Sequence, residues 1–150
     1  MVVGIPKEIK ANENRVSMTP YNVKTLVADG HRVLLQTGAG VKSGFLDEEY
    51  VKHGAKIVGT LDEVYSESEM IVKVKEPQET ELTKIRPSQI VFTFFHFAAS
   101  ESLTQSIIDS KCAAFAYETV QTENKNLPLL VPMSEIAGRL SVHNGAKCLE

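Results

Sequence analysis

Two apolar runs that each end in a basic side chain form the strongest pattern in this sequence. The first spans residues 71–75 and ends at Lys75, and the second spans residues 90–96 and ends at His96. Buried parallel strands read as nearly continuous apolar runs, and ligands of open α/β sheets bind beyond the carboxyl ends of such strands. The pattern therefore predicts two strands whose tips bring Lys75 and His96 into one crevice.

The rest of the chain alternates between strand and helix patterns. Helix starts are marked by Thr19, followed by a proline in the first helical position, and by Ser100. Further helices are predicted at residues 47–53, 61–66 and 134–150, and strands at residues 1–5, 31–36, 56–58, 70–75, 90–95 and 112–117. Strands alternating with helices require crossover connections. The pattern thus predicts an α/β fold, with a parallel-rich Rossmann-like or flavodoxin-like sheet flanked by helices and a long C-terminal helix.

The last predicted helix carries small residues at every fourth position, namely Ala137, Ser141 and Gly145. Such a stripe lets another helix approach closely. No C-terminal capping signal follows, and the sequence stops after Glu150. We therefore expect this chain to be interrupted within a helix.

Composition narrows the class of partner. The 150 residues are 43% hydrophobic and 23% charged, with a net charge of -3, which lacks the basic excess typical of nucleic-acid binding. No apolar segment is long enough to span a membrane. Cys112 and Cys148 have no metal-ligand spacing, and we interpret both as packing residues in a reducing compartment. These observations favour a cytoplasmic protein with a small-molecule partner.

Three polar side chains are candidates for chemistry, and each has a simpler interpretation. Arg15 in the loop after the first strand could clamp a carboxylate, but a solvated loop arginine explains it as well. Lys75 could hydrogen-bond a substrate oxygen, or it could be a strand-end lysine that reaches water. Lys73, two residues earlier on the same face of the strand, supports the second interpretation. His96, among phenylalanines, could exchange a proton near neutrality, or it could be a hydrogen-bonded core histidine.

The glycine-rich segment at residues 37–44 does not predict a phosphate site. Its glycines are spaced G-x-G-x-x-x-G, and no Gly-Lys-Ser/Thr closes them. We interpret it as a structural turn. The four histidines are scattered, without acidic or thiol partners at metal-ligand spacing, so the sequence predicts no metal site.

Several strings resemble the N-terminal part of alanine dehydrogenase, in the family shared with the alpha subunit of nicotinamide nucleotide transhydrogenase. They are GIPKEIK (4–10), NRV (14–16), TP (19–20), GH (30–31), TGAG through SGF (37–45), VKVKEP (72–77) and PMSEIAGR (132–139). The transhydrogenase subunit shares the opening and the glycine-rich turn. The residues Lys75 and His96 favour the alanine dehydrogenase branch.

This resemblance implies an oxidoreductase that converts L-alanine, NAD and water to pyruvate, ammonium and NADH. Residues 1–132 would be the first segment of its substrate domain, and residues 133–150 would begin the interdomain helix. Family members are more than twice as long and add an NAD-binding Rossmann domain and a return segment, which these residues lack. We therefore expect a truncated or split substrate half that is inactive alone and needs a separate NAD-binding polypeptide.

The resemblance also implies roles for particular residues. Arg15 and Lys75 match substrate-binding residues, with Lys75 also polarising the oxo group of pyruvate. His96 matches the general acid/base. Met133 and Ser134 fall where the family brings the substrate domain against the nicotinamide cofactor, Met133 as a substrate contact and Ser134 as a cofactor contact.

Phe94 departs from the family pattern, because many members carry tyrosine there.

Two other functions stay open. One is a non-catalytic module that binds a 2-oxo acid such as pyruvate through Arg15, Lys75 and His96. The other is a remnant that acts only through self-association, with the helix from Ser134 onward as the interface of a homo-oligomer.

Overall fold

The fold is built on one sheet of six parallel strands. The computed structural model describes residues 1–149. Its strands are β1 (Val2–Ile5), β2 (Arg32–Gln36), β3 (Lys56–Val58), β4 (Met70–Lys75), β5 (Ile90–Phe94) and β6 (Ala113–Ala116). Their order in the sheet is β3-β2-β1-β4-β5-β6, and every neighbouring pair is parallel. The predicted α/β class with a Rossmann-like sheet is confirmed.

Helices connect the strands. They are α1 (Pro20–Ala28), α2 (Asp47–Lys52), α3 (Leu61–Glu67), α4 (Glu79–Leu82), α5 (Glu101–Ser110) and α6 (Val131–Lys147). Both predicted N-caps are present, because the hydroxyls of Thr19 and Ser100 accept hydrogen bonds from the first turns of α1 and α5. Helix α4 was not predicted, because its four residues are too few to show a periodic pattern.

Two apolar clusters cover opposite faces of the sheet. Leu34 belongs to the cluster that includes residues of α3 and α5, whereas its neighbours Val33 and Leu35 belong to the cluster that includes residues of α1 and α2. This division follows from the alternation of side chains along a strand. Gly4 of β1 is required here, because an added Cβ would lie 2.9 Å from Val64 Cγ1 of α3.

The order of the strands determines where a ligand crevice forms. From β1 the chain first builds outward through β2 and β3, and it then returns to place β4 on the other side of β1. In open α/β sheets a crevice lies beyond the carboxyl ends of the strands at such a switch point. The tips of β1, β4 and β5 therefore border the expected site.

The C-terminal helix differs from its prediction at both ends. It begins at Val131, three residues before its predicted start, and ends at Lys147 with Cys148 as its C-cap; position 150 lies outside the described residues. That the chain is interrupted within this helix stays a prediction. No residue of α6 is buried.

Cys112 is partly buried and Cys148 is exposed, so Cys148 is not a packing residue. Within residues 1–149, no helix has the length and apolarity that crossing a membrane requires.

Candidate functional site

A cavity of about 260 Å³ opens beyond the carboxyl ends of β4 and β5. It is lined by Arg15, Lys75, Phe94, His96, Leu130, Met133, Ser134 and Ala137. We call this cavity the cleft. The structure thus brings together every site residue named in the sequence analysis, from the loop after β1, the tips of β4 and β5, and the first turns of α6. The chemical roles of these residues stay predictions.

Arg15 is held in place by a neighbouring acid. Glu13 Oε1 accepts from Arg15 Nε at 2.8 Å, and Glu13 Oε2 accepts from Nη2 at 2.6 Å. The backbone N–H of Arg15 also donates to Glu13. Arg15 Nη1 lies 3.4 Å from Met133 Sδ across the cleft. The side chain is half exposed, but these contacts show that it is not a freely solvated loop arginine.

The Arg15–Glu13 pair has electrostatic consequences. The hydrogen bond from Arg15 lowers the pKa of Glu13, and the same bond raises the pKa of Arg15. The guanidinium therefore stays charged, and among residues 1–149 its Nη1 has one hydrogen-bonding contact, with the Met133 thioether, which is a weak acceptor. Glu13 was not among the residues predicted for the site, although an acid two residues before a candidate arginine is a signal that is visible in the sequence.

Lys75 lies immediately after an irregularity in β4. Val72 pairs with Phe92 and Lys75 pairs with Phe94, so two residues of β4 lie opposite Thr93 alone. This count defines a β-bulge. A bulge interrupts the alternation of side chains along a strand, so Lys75 and the residue two positions earlier need not share an environment. Lys75 is partly buried and lines the cleft.

Lys73 has a very different environment from Lys75. Its side chain is 0% exposed, and its Nζ lies 3.1 Å from Glu8 Oε2 and 2.8 Å from Glu81 Oε1. We call Glu8, Lys73 and Glu81 the buried ion cluster. The interpretation in which the lysines of this strand reach water is therefore wrong for Lys73. Burial raises the pKa of Glu8, against the opposing effect of the Lys73 ammonium.

His96 lies beyond the end of β5 and not within it. Its backbone is left-handed, with φ 54°, and its side chain is 49% exposed, so the core-histidine alternative is wrong. The backbone N–H donates to Glu118 Oε1 at 2.7 Å, while the imidazole Nδ1 lies 3.9 Å from the same oxygen. The ring is therefore accessible from the cleft and is not consumed by an internal hydrogen bond to this carboxylate.

A larger apolar cavity of about 520 Å³ adjoins the cleft and shares Arg15, Phe94 and Met133 with it. Tyr117 lies at its wall, with its ring centroid 4.9 Å from that of Phe94. Burial raises the pKa of Tyr117, so its hydroxyl stays protonated. Sequence reasoning did not identify this cavity, because its residues come from segments that are far apart along the chain.

The glycine-rich turn is occupied by internal contacts, in agreement with its interpretation as a structural turn. Asp47 Oδ1 accepts from Gly38 N at 3.0 Å, and Asp47 Oδ2 accepts from the Thr37 hydroxyl at 2.8 Å. Gly40 packs so close to Tyr50 that an added Cβ would lie 2.7 Å from its ring. This turn therefore does not fit a dinucleotide.

Residues 1–149 contain no group of three or more His, Cys, Asp or Glu side chains that could hold a metal ion.

Comparisons with known proteins agree on one family. A family profile described as "Alanine dehydrogenase/PNT, N-terminal domain" matches residues 4–137. The alanine dehydrogenase of Methanococcus maripaludis is 51% identical over 150 residues, which are 100% of this chain and 40% of that protein. The chain thus spans about 40% of the length of the curated relatives that it matches.

Two solved structures extend this likeness to the fold. A structure of L-alanine dehydrogenase superposes with a TM-score of 0.92 at 47% identity and covers 98% of this chain and 40% of its own. A transhydrogenase from Sinorhizobium meliloti superposes with a TM-score of 0.76 at 28% identity and covers 83% of this chain and 35% of its own.

Proposed function

This chain belongs to the family of alanine dehydrogenase and PNT N-terminal domains, and from that premise we propose that it is the substrate-binding half of an NAD-dependent alanine dehydrogenase. The reaction would convert L-alanine, NAD and water to pyruvate, ammonium and NADH. The observation that carries the proposal is the cleft, in which Arg15, Lys75 and His96 converge from three separate segments. A guanidinium, an ammonium and an imidazole together suit a small 2-oxo or 2-amino acid.

Arg15 binds the carboxylate of the substrate in this proposal. Glu13 holds the Nε and Nη2 side of the guanidinium, which leaves Nη1 directed toward Met133 and the cleft. A carboxylate is a much stronger acceptor than a thioether sulfur, so it would replace the Met133 contact. Because Glu13 has already fixed the orientation of the guanidinium, binding would order few additional side-chain bonds.

Lys75 and His96 act on the carbon that changes oxidation state. The Lys75 ammonium donates to the oxo or hydroxyl oxygen, and this interaction strengthens as negative charge develops on that oxygen. His96 takes or gives the proton as water adds to the imine and as the resulting carbinolamine collapses. Its half-exposed ring can exchange that proton with water in the cleft.

NAD would serve as the hydride acceptor, and we propose that residues outside this chain bind it. The glycine-rich turn does not fit a dinucleotide, and Ser134 at the rim of the cleft is the residue that we propose as a contact for the cofactor. We propose that a domain outside residues 1–150, on this polypeptide or on a separate one, supplies this site.

Binding of pyruvate is the first test of the proposal. Calorimetric titration of this chain should show saturable binding that Arg15→Ala weakens at least about tenfold, as expected for loss of a charged hydrogen-bonding partner. Arg32→Ala is the matched control, because Arg32 is an exposed arginine at the start of β2, at the opposite end of the sheet. No heat at millimolar pyruvate would contradict the proposal.

Turnover distinguishes the proposed enzyme half from a binding module. NADH production from L-alanine would be measured for this chain with and without the NAD-binding domain of a full-length relative. Activity only in the mixture supports the proposal. Binding of pyruvate without activity in the mixture favours the 2-oxo-acid module, and activity of the chain alone would show that no partner is needed.

Self-association through α6 stays a prediction. This helix exposes Ile136, Leu140 and Val142, which are at least half accessible to solvent. Apolar side chains on an unburied helix are commonly covered in an oligomer. Light scattering at high protein concentration tests this prediction, and a monomer would contradict it.

A further inference from the structure

We propose that Glu8 and Thr93 are positioning residues that hold the backbone on both sides of Lys75 and so aim its ammonium into the cleft. The inference rests on the proposed function of the cleft, in which Lys75 contacts the substrate. Neither Glu8 nor Thr93 lines the cleft, so any effect they have on the substrate must pass through another residue.

The need for positioning arises from the irregular end of β4. The pairing of β1 with β4 runs through Val3–Met70 and Gly4–Ile71, near the start of β4. On its other side, β4 pairs with β5 through the bulge that precedes Lys75. A bulge disrupts the regular ladder of backbone hydrogen bonds, so side chains from other segments can supply partners to the peptide groups next to Lys75.

Glu8 supplies partners for the N–H groups. Its Oε1 accepts from Val74 N at 2.6 Å and lies 3.4 Å from Lys75 N, so the carboxylate spans the two amides that lead into Lys75. Glu8 follows β1 by three residues and therefore continues along β4 where the pairing with β1 has stopped. A carboxylate acceptor makes a stronger bond to an amide than a neutral carbonyl does.

Thr93 supplies the partner for the carbonyl. Its hydroxyl donates to Lys75 O at 2.9 Å, and the residue is 0% exposed. Thr93 is also the residue of β5 that lies opposite both Lys73 and Val74 at the bulge. The peptide groups before and after Lys75 are thus each bonded to a side chain from another segment.

The buried ion cluster keeps the Glu8 carboxylate in position. Glu8 Oε2 pairs with Lys73, whose ammonium also pairs with Glu81, and all three side chains are 3% exposed or less. Buried ion pairs often contribute no more stability than apolar residues of the same volume. Their presence beneath a bulge is better explained by the geometry they impose, with one carboxylate oxygen bound to Lys73 and the other bound to the amides.

A double-mutant cycle tests whether these residues act through Lys75. The Kd for pyruvate would be measured by NMR titration, which reaches millimolar values. The proteins are wild type, the single variants Glu8→Gln, Thr93→Val and Lys75→Ala, and the two double variants that combine Glu8→Gln or Thr93→Val with Lys75→Ala. Glu8→Gln and Thr93→Val nearly preserve the shape of the side chain. Glu69→Gln is the matched control, because Glu69 accepts from Val2 N at 2.6 Å near the other end of the same strands.

We expect Glu8→Gln and Thr93→Val each to weaken binding roughly 3- to 30-fold in the wild-type background, within the range of coupled neighbouring residues. In the Lys75→Ala background each should change the Kd by less than about twofold, and the control Glu69→Gln should leave the Kd of the otherwise wild-type chain unchanged. Equal weakening in both backgrounds would indicate a general loss of structure and would overturn the inference. No weakening in the wild-type background would overturn it as well. If Glu8→Gln does not fold, Thr93→Val decides the result.

A measurement without ligand separates this inference from the proposed function. Amide hydrogen exchange at Val74 and Lys75 should accelerate about tenfold or more in Glu8→Gln, whereas Glu69→Gln should affect only the amides near Val2. Unchanged exchange at Val74 and Lys75 would overturn the positioning role. If wild type binds no pyruvate but the exchange result is as expected, the proposed function fails and the role of Glu8 in ordering Lys75 stands.

Discussion

The buried ion cluster and the cleft use the same kinds of side chain for opposite purposes. In the cluster, the ammonium of Lys73 is enclosed and bonded to two carboxylates. In the cleft, the guanidinium of Arg15 and the ammonium of Lys75 line an open cavity, and Arg15 is only partly satisfied by Glu13. The two lysines lie two residues apart on one strand.

This comparison shows that the partners of a basic residue, and not its residue type or its strand, indicate its role. The ammonium of Lys73 is neutralised by two buried carboxylates, one of which also bonds the backbone of β4. Positive charge that faces a cavity, next to an acid that fixes its orientation, is available to an anionic ligand. Stability should therefore depend on Lys73 and ligand affinity on Lys75.

The largest effect is expected from Lys73→Met. This substitution leaves Glu8 and Glu81 buried without their shared cation, which should lower the free energy of unfolding by about 3–5 kcal/mol. Urea denaturation followed by circular dichroism would measure the change. Lys75→Met on the same strand is the control and should lower it by less than about 1 kcal/mol. Equal losses from the two variants would remove the distinction between the cluster and the cleft.

Lys75→Met is expected to weaken the binding of pyruvate, although it should hardly change the free energy of unfolding. Loss of a hydrogen bond from a charged donor should weaken binding by about 1.5–3 kcal/mol, or roughly 10- to 150-fold. NMR titration of the folded variant would measure the Kd. An unchanged Kd would mean that the cleft does not use its lysine.

A smaller effect should appear in the pH dependence of stability. Burial raises the pKa of Glu8 above its ordinary value of 4.5, so the stability it contributes is fully present below pH 4.5 and is lost as the pH rises through the folded pKa. The hydrogen bond from Arg15 lowers the pKa of Glu13, so its contribution is present above pH 4.5 and is lost as the pH falls through the folded pKa.

Unfolding free energies measured from pH 3 to pH 8 would test these opposite signs. Wild type should lose stability relative to Glu8→Gln as the pH rises above about 4.5, and relative to Glu13→Gln as it falls below about 4.5. Parallel curves for wild type and either variant would show that the corresponding carboxyl group has the same pKa in the folded and unfolded states.

The smallest effect is expected at the surface. Lys56 pairs with Glu67 at 3.3 Å, and the two side chains are 60% and 42% exposed. Lys56→Met should change the free energy of unfolding by no more than about 1 kcal/mol, because water and salt screen such a pair. A loss as large as that of Lys73→Met would show that burial is not what separates the two ion pairs.

Features that depend on neighbouring residues were predicted more accurately than features that depend on contacts between distant segments. The caps Thr19 and Ser100 and the bounds of β3 and β4 agree with their predictions, because hydroxyl caps and apolar runs are local signals. The short helix α4 was missed for lack of a periodic pattern. Arg15 and Lys75 could be chosen as candidates from their residue types and their positions in a loop and at a strand end.

By itself, the sequence determined the α/β class, most of the elements and the residues that could bind an anion, because these depend on neighbours within a few positions. Only the tertiary structure decided that Lys73 is buried, that a bulge separates it from Lys75, and that Glu8 bonds both the ammonium and the amides of β4. Glu8 and Lys73 are 65 residues apart along the chain, and no local pattern records a contact over that separation. Such contacts form when the sheet places the tip of β1 beside β4, so they are properties of the fold and not of any segment.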